Sequence, residues 1–363
     1  MLRDELSRLR RHPGAALLAL AGGLAGGVLL AAVTAAPAPP AETATIVVLR
    51  DAAGATPGAR PSALADARTR SAFQLAAERA VARAATAGGS AEAAVWVEGW
   101  SAPVLAGDAN RRMRLWSMSK AVTAVAVFEA LARRGRRPSP ELDAALAGAL
   151  VRSENCSQRR VIVGLQELTG GAEGARAAFE DVLRRAGASA AMPAAPEPPE
   201  AACHEYLLAH SGGVAEPLAP AYQYGTATWT IRDAVAFAHA LGDGSFGAAG
   251  AEVLRRLAVP KQPSTEVTPG EFTADPAWGA GRQLAPWRPA YKAGWGGSQE
   301  SPPDFLVGQL AMLTAGNHSV AVAAAFHPAQ QPPSDDPGLG SSVTGIERAL
   351  HEIALEIRRR YGA

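Results

Sequence analysis

The stretch FLVGQLAMLTAGNHSVAVAAAFHP, residues 305–328, predicts two apolar β-strands joined by a tight turn. Gly316-Asn317 lies between the two strands and is a favourable pair for a two-residue hairpin. The segments AAVWVEGW at residues 93–100 and PAYKAGWGG at residues 289–297 also have strand character. Because strands joined by hairpins pair antiparallel, these segments predict an antiparallel sheet.

Helical periodicity accompanies the strands along the rest of the chain. Residues 63–86 predict a first helix, residues 138–258 contain several helical patterns, and the last helix carries one apolar stripe. The stripe consists of Ile346, Leu350, Ile353 and Ile357. The expected fold class is α/β of the α+β type: an antiparallel sheet flanked by helices, with an inserted all-helical lobe at about residues 138–258. A cleft between two such lobes is a common place for a ligand.

The N-terminus has the pattern of an export signal. MLRDELSRLRRHPG carries four arginines against two acids, and residues 13–41 contain no charge. The apolar core, residues 14–36, is long enough to span a bilayer, which takes roughly 20 residues, and its positive flank stays in the cytoplasm. We therefore predict a cytoplasmic tip and membrane anchor at residues 1–36, a linker at 37–61 and an extracytoplasmic domain at 62–361. A cleavable signal peptide, which would release a secreted protein, is the alternative.

Charge and cysteine content limit the classes of ligand. The formal net charge of +1 gives no electrostatic footprint for nucleic acid. The two cysteines, Cys156 and Cys203, are too few for a zinc site made of cysteine alone. In an oxidising compartment they can form a disulfide, and two buried free thiols are the alternative. His204 and His210 would not share one face of a helix, so no metal or cofactor is expected.

The segment RLWSMSKAVTAVAVFEALARRG, residues 114–135, places Ser117 three residues before Lys120, where a helical pattern begins. On the first turn of a helix these two side chains lie on the same face. A serine nucleophile needs a base that takes its proton, and a lysine that easily becomes neutral can serve. Taken alone the SxxK spacing is common, and a solvated lysine at a helix start is the alternative.

Two further motifs follow in order. VRSENCSQ contains Ser153 and Asn155, an SxN pair in a break between helical patterns. AYKAGWGGS contains Lys292 and Gly294, a KxG on a strand. The set SxxK, SxN and KxG is that of class A β-lactamases and penicillin-binding proteins. Over about residues 63–360 the chain therefore resembles the penicillin-recognising serine hydrolases: serine β-lactamases, D-Ala-D-Ala carboxypeptidases and transpeptidases.

The resemblance implies roles for the three motifs in acyl transfer. Ser117 is expected to attack an amide or lactam carbonyl, with Lys120 as the base, and Ser153 is expected to pass a proton to the leaving nitrogen. The substrate would be a β-lactam or a stem peptide of peptidoglycan, and an antibiotic-resistance role would follow in the β-lactam case.

The resemblance also implies the substrate contacts. Asn155 is expected to bind Lys120 or a substrate amide, and Lys292 is expected to hold a substrate carboxylate. Gly294 and Trp295 belong to the same binding strand, and the backbone N–H groups of Ser117 and Trp295 would form the oxyanion hole.

The chain departs from the family pattern in three places. Ala293 stands where the family usually has Thr or Ser, which removes a hydroxyl from the carboxylate site. The spacing between the motifs is altered, being shorter from Ser117 to Ser153 and longer on to Lys292. Glu216 is the candidate deacylation base, with an ordinary surface carboxylate as the alternative. A β-lactamase, a D,D-peptidase and a catalytically weak protein that binds peptidoglycan or a partner protein all stay open.

Overall fold

The computed structural model describes residues 63–198, 203, 218–265, 278–296, 305–330 and 340–362. The predicted anchor, the linker, Glu216 and the two histidines at 204 and 210 lie outside these residues. In the described ranges, no helix combines the length and the apolar character that crossing a membrane requires.

Among the described residues there are seven strands, and five of them form one sheet. The strands are β1 (Gly89–Val97), β2 (Val104–Ala106), β3 (Met113–Arg114), β4 (Thr228–Trp229), β5 (Ala290–Gly296), β6 (Leu306–Ala315) and β7 (His318–Pro328). The sheet has the order β2-β1-β7-β6-β5, and every neighbouring pair is antiparallel. The hairpin predicted at Gly316-Asn317 is confirmed, because Ala315 pairs with His318 across the turn. β5 is therefore an edge strand.

Helices cover both faces of this sheet. They are α1 (Ala63–Ala85), α2 (Ser119–Arg133), α3 (Pro140–Ala147), α4 (Asn155–Thr169), α5 (Ala172–Arg185), α6 (Ile231–Gly242), α7 (Gly247–Leu257), α8 (Ala280–Gln283) and α9 (Gly340–Tyr361). α1 and α9 pack on one face, and α6 packs on the other. The expected class, an antiparallel sheet flanked by helices, is confirmed.

The alternation of side chains along β7 explains how the sheet packs on both sides. Val320 and Phe326 belong to the core under α1 and α9, whereas Ala321 and Ala323 belong to the core on the α6 side. Because both faces are buried, the strand reads as a nearly continuous apolar run. The stripe predicted on the last helix is fully within the first of these cores.

The region predicted as an inserted helical lobe is more varied than expected. α3, α4, α5 and α7 pack around α2 and around each other, as an inserted lobe should. α6 lies in the same stretch of sequence but covers the sheet, and β4 pairs with β3 instead of being helical. The capping box of Thr230 and Asp233 starts α6 as the sequence indicates, but helical periodicity alone does not say which surface a helix covers.

Candidate active site

Ser117 and Lys120 lie at the junction between an irregular strand end and α2. Ser117 is the middle residue of a single 3₁₀ turn, Trp116–Met118, and α2 begins at Ser119. Trp116 has a left-handed backbone with φ of 44°, an unfavourable conformation for a bulky residue that is found mainly at functional sites. The 3₁₀ turn places Ser117 in the wall of the cleft. Lys120 lies on the first turn of α2, and 3 % of its surface is exposed.

Lys120 contacts the SxN motif directly. Its Nζ donates one hydrogen bond to the backbone oxygen of Ser153 and a second, of 2.9 Å, to Oδ1 of Asn155. The contact with Lys120 is one of the two that the resemblance implies for Asn155, the other being a substrate amide. A buried ammonium or amine group needs such partners, because burial without them is costly.

Ser153 connects the two lysines of the site. It ends a π-helical turn, Gly148–Arg152, in a left-handed conformation with φ of 62°. Its hydroxyl accepts a hydrogen bond of 2.7 Å from Nζ of Lys292, while its carbonyl accepts one from Lys120. Lys292 also donates to the carbonyl of Ala293 at 2.9 Å. The structure thus brings all three predicted motifs together at one serine.

Glu154, in the middle of the SxN motif, fixes this loop from inside the protein. It is fully buried and forms an ion pair with Arg152. It also accepts hydrogen bonds from the hydroxyl of Ser157 at 2.6 Å and from the hydroxyl of Thr265 at 2.7 Å. Burial opposes the ionised form, but these hydrogen bonds outweigh it and lower the pKa of Glu154 to about 2.

Gly294 allows the edge strand β5 to approach the 3₁₀ turn closely. A Cβ at this position would stand 2.8 Å from the backbone oxygen of Leu115 and 3.0 Å from the backbone nitrogens of Ser117 and Met118. No side chain fits at these distances. The glycine therefore sets the distance between the backbone of Ser117 and that of Trp295, the two predicted oxyanion-hole donors.

Two lysines of the cleft, Lys261 and Lys292, have lowered pKa values. Burial and the positive charges of Lys120 and Lys261 hold the pKa of Lys292 well below its usual range. Lys261 itself is buried enough that its pKa falls to about 7. A bound anion would favour the charged forms of these lysines.

The motifs open onto one cleft with a volume of about 590 Å³. All predicted catalytic and binding side chains that the structure describes line this cleft: Ser117, Lys120, Ser153, Asn155, Lys292 and Trp295. Glu197 is the one carboxylate among the described residues of its wall. The predicted deacylation base Glu216 lies outside the described residues.

The two cysteines form a disulfide, which resolves the alternative left open by the sequence. Cys156 directly follows Asn155 on α4, and Cys203 lies in the cleft wall. The bond therefore ties the start of α4, where the SxN motif ends, to a segment distant by 47 residues.

Three residues of the site were not predicted from the sequence. Glu154 could have been recognised, since the family motif has an acidic residue between its serine and asparagine. Trp116 lines the cleft in a left-handed conformation, which no local pattern indicates. Lys261 also lines the cleft, and its sequence context, VPKQP after a helix, carries no motif.

Comparison with known proteins gives matches among solved structures. No family model and no curated protein sequence matches the chain. A β-lactamase from Desulfarculus baarsii is similar with 17 % identity and a TM-score of 0.48, over 78 % of this chain and 97 % of its own. A β-lactamase from Sphaerobacter thermophilus matches with 16 % identity and a TM-score of 0.44, over 80 % and 97 %.

A third structure, called PBP-A, matches with 16 % identity and a TM-score of 0.46, over 80 % of this chain and 96 % of its own. The resemblance stated from the motifs names the same group of proteins.

Proposed function

We propose that the protein is a serine hydrolase that transfers an acyl group from a β-lactam or a D-Ala-D-Ala-like peptide to Ser117. The observation that supports this most strongly is the position of Ser153. Its carbonyl binds Lys120 and its hydroxyl binds Lys292, in the cleft that Ser117 also lines. Residues from α2, the loop before α4 and β5 meet there, although they are far apart in sequence.

In the proposed acylation, Oγ of Ser117 attacks the carbonyl carbon and Lys120, in its neutral form, accepts the proton. The tetrahedral oxyanion is held by the backbone N–H groups of Ser117 and Trp295. The hydroxyl of Ser153 then gives its proton to the leaving nitrogen as the C–N bond breaks. Lys292, hydrogen-bonded to that hydroxyl, passes a proton to its oxygen so that no alkoxide remains, and the proton that Lys120 took from Ser117 keeps the charge balanced.

The same cleft supports binding of an anionic substrate. Lys292 is proposed to hold the substrate carboxylate and Asn155 a substrate amide. The edge position of β5 leaves backbone groups of this strand available to an extended peptide.

An extracytoplasmic location is part of the proposal. The charge pattern and apolar core of residues 1–36 support export, and the disulfide supports an oxidising compartment. Protease treatment of intact cells that produce the full chain would test this: degradation of the folded domain from outside is expected, and full protection would contradict it.

The test of the chemistry is labelling with a fluorescent penicillin. We expect the wild-type protein to be labelled and Ser117→Ala not to be. Ser119→Ala is the matched control, because Ser119 lines the same cleft but its hydroxyl donates to the backbone of Trp116 at 2.7 Å. Labelling that persists in Ser117→Ala, or that is lost equally in both folded variants, would contradict the assignment.

A second candidate function is that of a binding protein, which binds its ligand in the cleft but does not turn it over. One observation favours it: Ala293 lacks the family's hydroxyl. Turnover of a chromogenic cephalosporin or a D-Ala-D-Ala peptide, lost in Ser117→Ala, would exclude this candidate. If an adduct forms, rapid release indicates a β-lactamase and persistence indicates a peptidase or a penicillin binder.

A further inference from the structure

One end of the sheet is surrounded by arginines that take no part in the proposed chemistry. At this end lies the β6–β7 turn, where Ala315 pairs with His318. β1 finishes and β5 starts at the same end, because Val97 pairs with Val320 and Ala290 with Met312. We call it the basic end, and its arginines are Arg68, Arg70, Arg288, Arg358, Arg359 and Arg360.

Contacts of α1 place the first two arginines at the basic end. Nη1 of Arg70 donates to the backbone oxygen of Ala102, in the loop between β1 and β2, at 2.6 Å. The guanidinium group of Arg70 also lies 5.4 Å from the ring centre of Trp100 in that loop. Arg68 is exposed two residues earlier on the same helix. α1 therefore begins at the basic end.

The last turn of α9 brings most of the other arginines to the same place. Nε1 of Trp287, just before β5, donates to the backbone oxygen of Gly362 at 3.1 Å. The ring centre of Tyr361 lies 4.7 Å from that of His318, the first residue of β7. α9 thus ends beside the starts of β5 and β7. The exposed arginines placed here are Arg288, Arg358, Arg359 and Arg360.

The arginines at the basic end outnumber the acids beside them. α1, α9 and the β1–β2 loop contribute three acids here: Asp66, Glu98 and Glu356. Glu356 is buried and pairs with Arg359 at 3.2 Å and with Arg360 at 2.9 Å. Within the described ranges, no hydrogen bond or ion pair is formed by the guanidinium groups of Arg68, Arg288 and Arg358. Because the whole chain has a formal net charge of only +1, this excess is local.

Helix stability explains only part of this charge. The dipole of α9 favours cations in its last turn. It does not account for Arg68 and Arg70, which lie near the start of α1, or for Arg288, which belongs to no α-helix. Trp100 and Tyr361 lie at the same end, and Trp and Tyr are the residues enriched at the boundary between lipid and water.

The predicted anchor joins the domain at the basic end. α1 starts at Ala63, directly after the predicted linker at residues 37–61 and the predicted anchor at residues 1–36. If the anchor is in a membrane, the basic end is therefore the part of the domain that is connected to it most directly.

We propose that the basic end docks on the anionic lipid headgroups of the membrane that holds the anchor. Guanidinium groups bind phosphate oxygens well, and an anionic lipid surface strengthens binding about fivefold for each basic residue close to it. The inference rests on the proposed extracytoplasmic location but not on the proposed chemistry.

Docking at this end has a consequence for the cleft. β5 starts at the basic end with Ala290 and runs away from it to Gly296, which pairs with Leu306 at the far end of β6. The cleft is lined by this strand from residue 291 onward. A docked domain therefore holds the cleft away from the lipid, where a substrate arriving from the opposite side can enter.

The test uses the full chain in two kinds of vesicle: phosphatidylcholine alone, and an equal mixture of phosphatidylcholine and phosphatidylglycerol. Phenylglyoxal, a neutral reagent, modifies exposed guanidinium groups, and mass spectrometry of the digested protein gives the rate for each arginine. We expect Arg288 and Arg358 to react at least about fivefold more slowly in the anionic vesicles, and raised salt to remove this protection. Arg184 on α5, with 73 % of its side chain exposed, is the reference in the same molecules and should react equally in both.

Two variants, each lacking three exposed arginines, test the assignment of the surface. Replacing Arg358, Arg359 and Arg360 with Gln should bring the rate at Arg288 in anionic vesicles to within about twofold of the rate in neutral ones. The matched control replaces three exposed arginines around the end of α2 with Gln and should keep the protection; these are Arg133, Arg134 and Arg136.

Three results would overturn lipid docking. The first is equal reaction rates in the two kinds of vesicle for the wild-type protein. The second is protection that the α2 variant loses and the α9 variant keeps. The third is protection by soluble polyphosphate in neutral vesicles with none from phosphatidylglycerol, which would assign the basic end to an anionic polymer.

Failure of this inference is distinguishable from failure of the proposed function. Penicillin labelling of Ser117 with equal arginine rates leaves the acyl-transfer function standing and removes the docking surface. Protection without labelling does the reverse. Flotation tests the anchor: a chain that floats with anionic vesicles only, and not after the α9 substitutions, lacks the anchor but has the docking surface, whereas a chain that floats with neither has neither.

Discussion

Replacing Gly294 with alanine tests whether the spacing between β5 and the 3₁₀ turn controls acylation. The added Cβ would stand 2.8 Å from the oxygen of Leu115 and 3.0 Å from the nitrogens of Ser117 and Met118. All three atoms belong to backbone, so none can rotate away as a side chain would. The strand or the turn has to move instead.

The size of this movement follows from the distances. Restoring ordinary contacts of about 3.5 Å requires a displacement of roughly 0.5–0.7 Å. This displacement would move apart the backbone N–H groups of Ser117 and Trp295, which are proposed to donate jointly to the oxyanion. Loss of one oxyanion donor costs about 100- to 1,000-fold in rate, and a misplacement of about 1 Å can cost about 100-fold. We therefore expect Gly294→Ala to acylate about 10- to 100-fold more slowly.

The assay is the second-order rate constant of acylation by a fluorescent penicillin, with thermal unfolding as a check on folding. Gly308→Ala is the matched control, because Gly308 pairs with Gly294 on β6 and its added Cβ would meet the flexible end of Met118 at 2.8 Å. This control should acylate at close to the wild-type rate. A folded Gly294→Ala protein that acylates within about twofold of wild type would refute the reasoning about the oxyanion hole.

Three other changes have expected outcomes. Lys120→Ala should slow acylation by about 100- to 10,000-fold, the range for loss of a general base, and a loss below tenfold in the same kinetic assay would speak against that role. Because the folded-state pKa of Glu154 is lowered to about 2, its stabilisation is present above the usual pKa of 4.5 and is lost as the pH falls towards 2. Glu154→Gln should therefore cost about 3 kcal/mol in urea unfolding at pH 7 and much less near pH 3; an equal cost at both values would contradict this. Replacing Cys156 and Cys203 with serine should lower the free energy of unfolding by about 4 kcal/mol in the chain-entropy account of a 47-residue separation, and an unchanged urea midpoint would contradict it.

Much of the fold follows from local patterns in the sequence. The strands around Gly316-Asn317 and the helix with Ile346 to Ile357 were predictable because alternation, turn residues and helical stripes are short-range signals. The placement of α6 on the sheet was not predictable in this way. An apolar helix face shows that something is covered, but the partner surface is chosen by the tertiary fold.

In the site, too, the residues in local motifs were predictable, whereas the contacts made by the tertiary fold were not. Ser117, Lys120, Ser153, Asn155 and Lys292 were found because they lie in ordered motifs, and the structure places them in one cleft. Their hydrogen bonds through the carbonyl and hydroxyl of one serine could not be read from the motifs. The position of Lys261 in the cleft wall, against the ring of Tyr291 on β5, could not be predicted because no motif or spacing in the sequence records it.

The central claim is that Ser117 becomes covalently acylated, and the most direct measurement is the location of a penicillin adduct by mass spectrometry of the digested protein. The account predicts a mass increase of one penicillin on the peptide that contains Ser117, with fragment ions that place it on Ser117 and not on Ser119. An adduct on any other residue, or no adduct on folded wild-type protein with a broad panel of β-lactams, would contradict it.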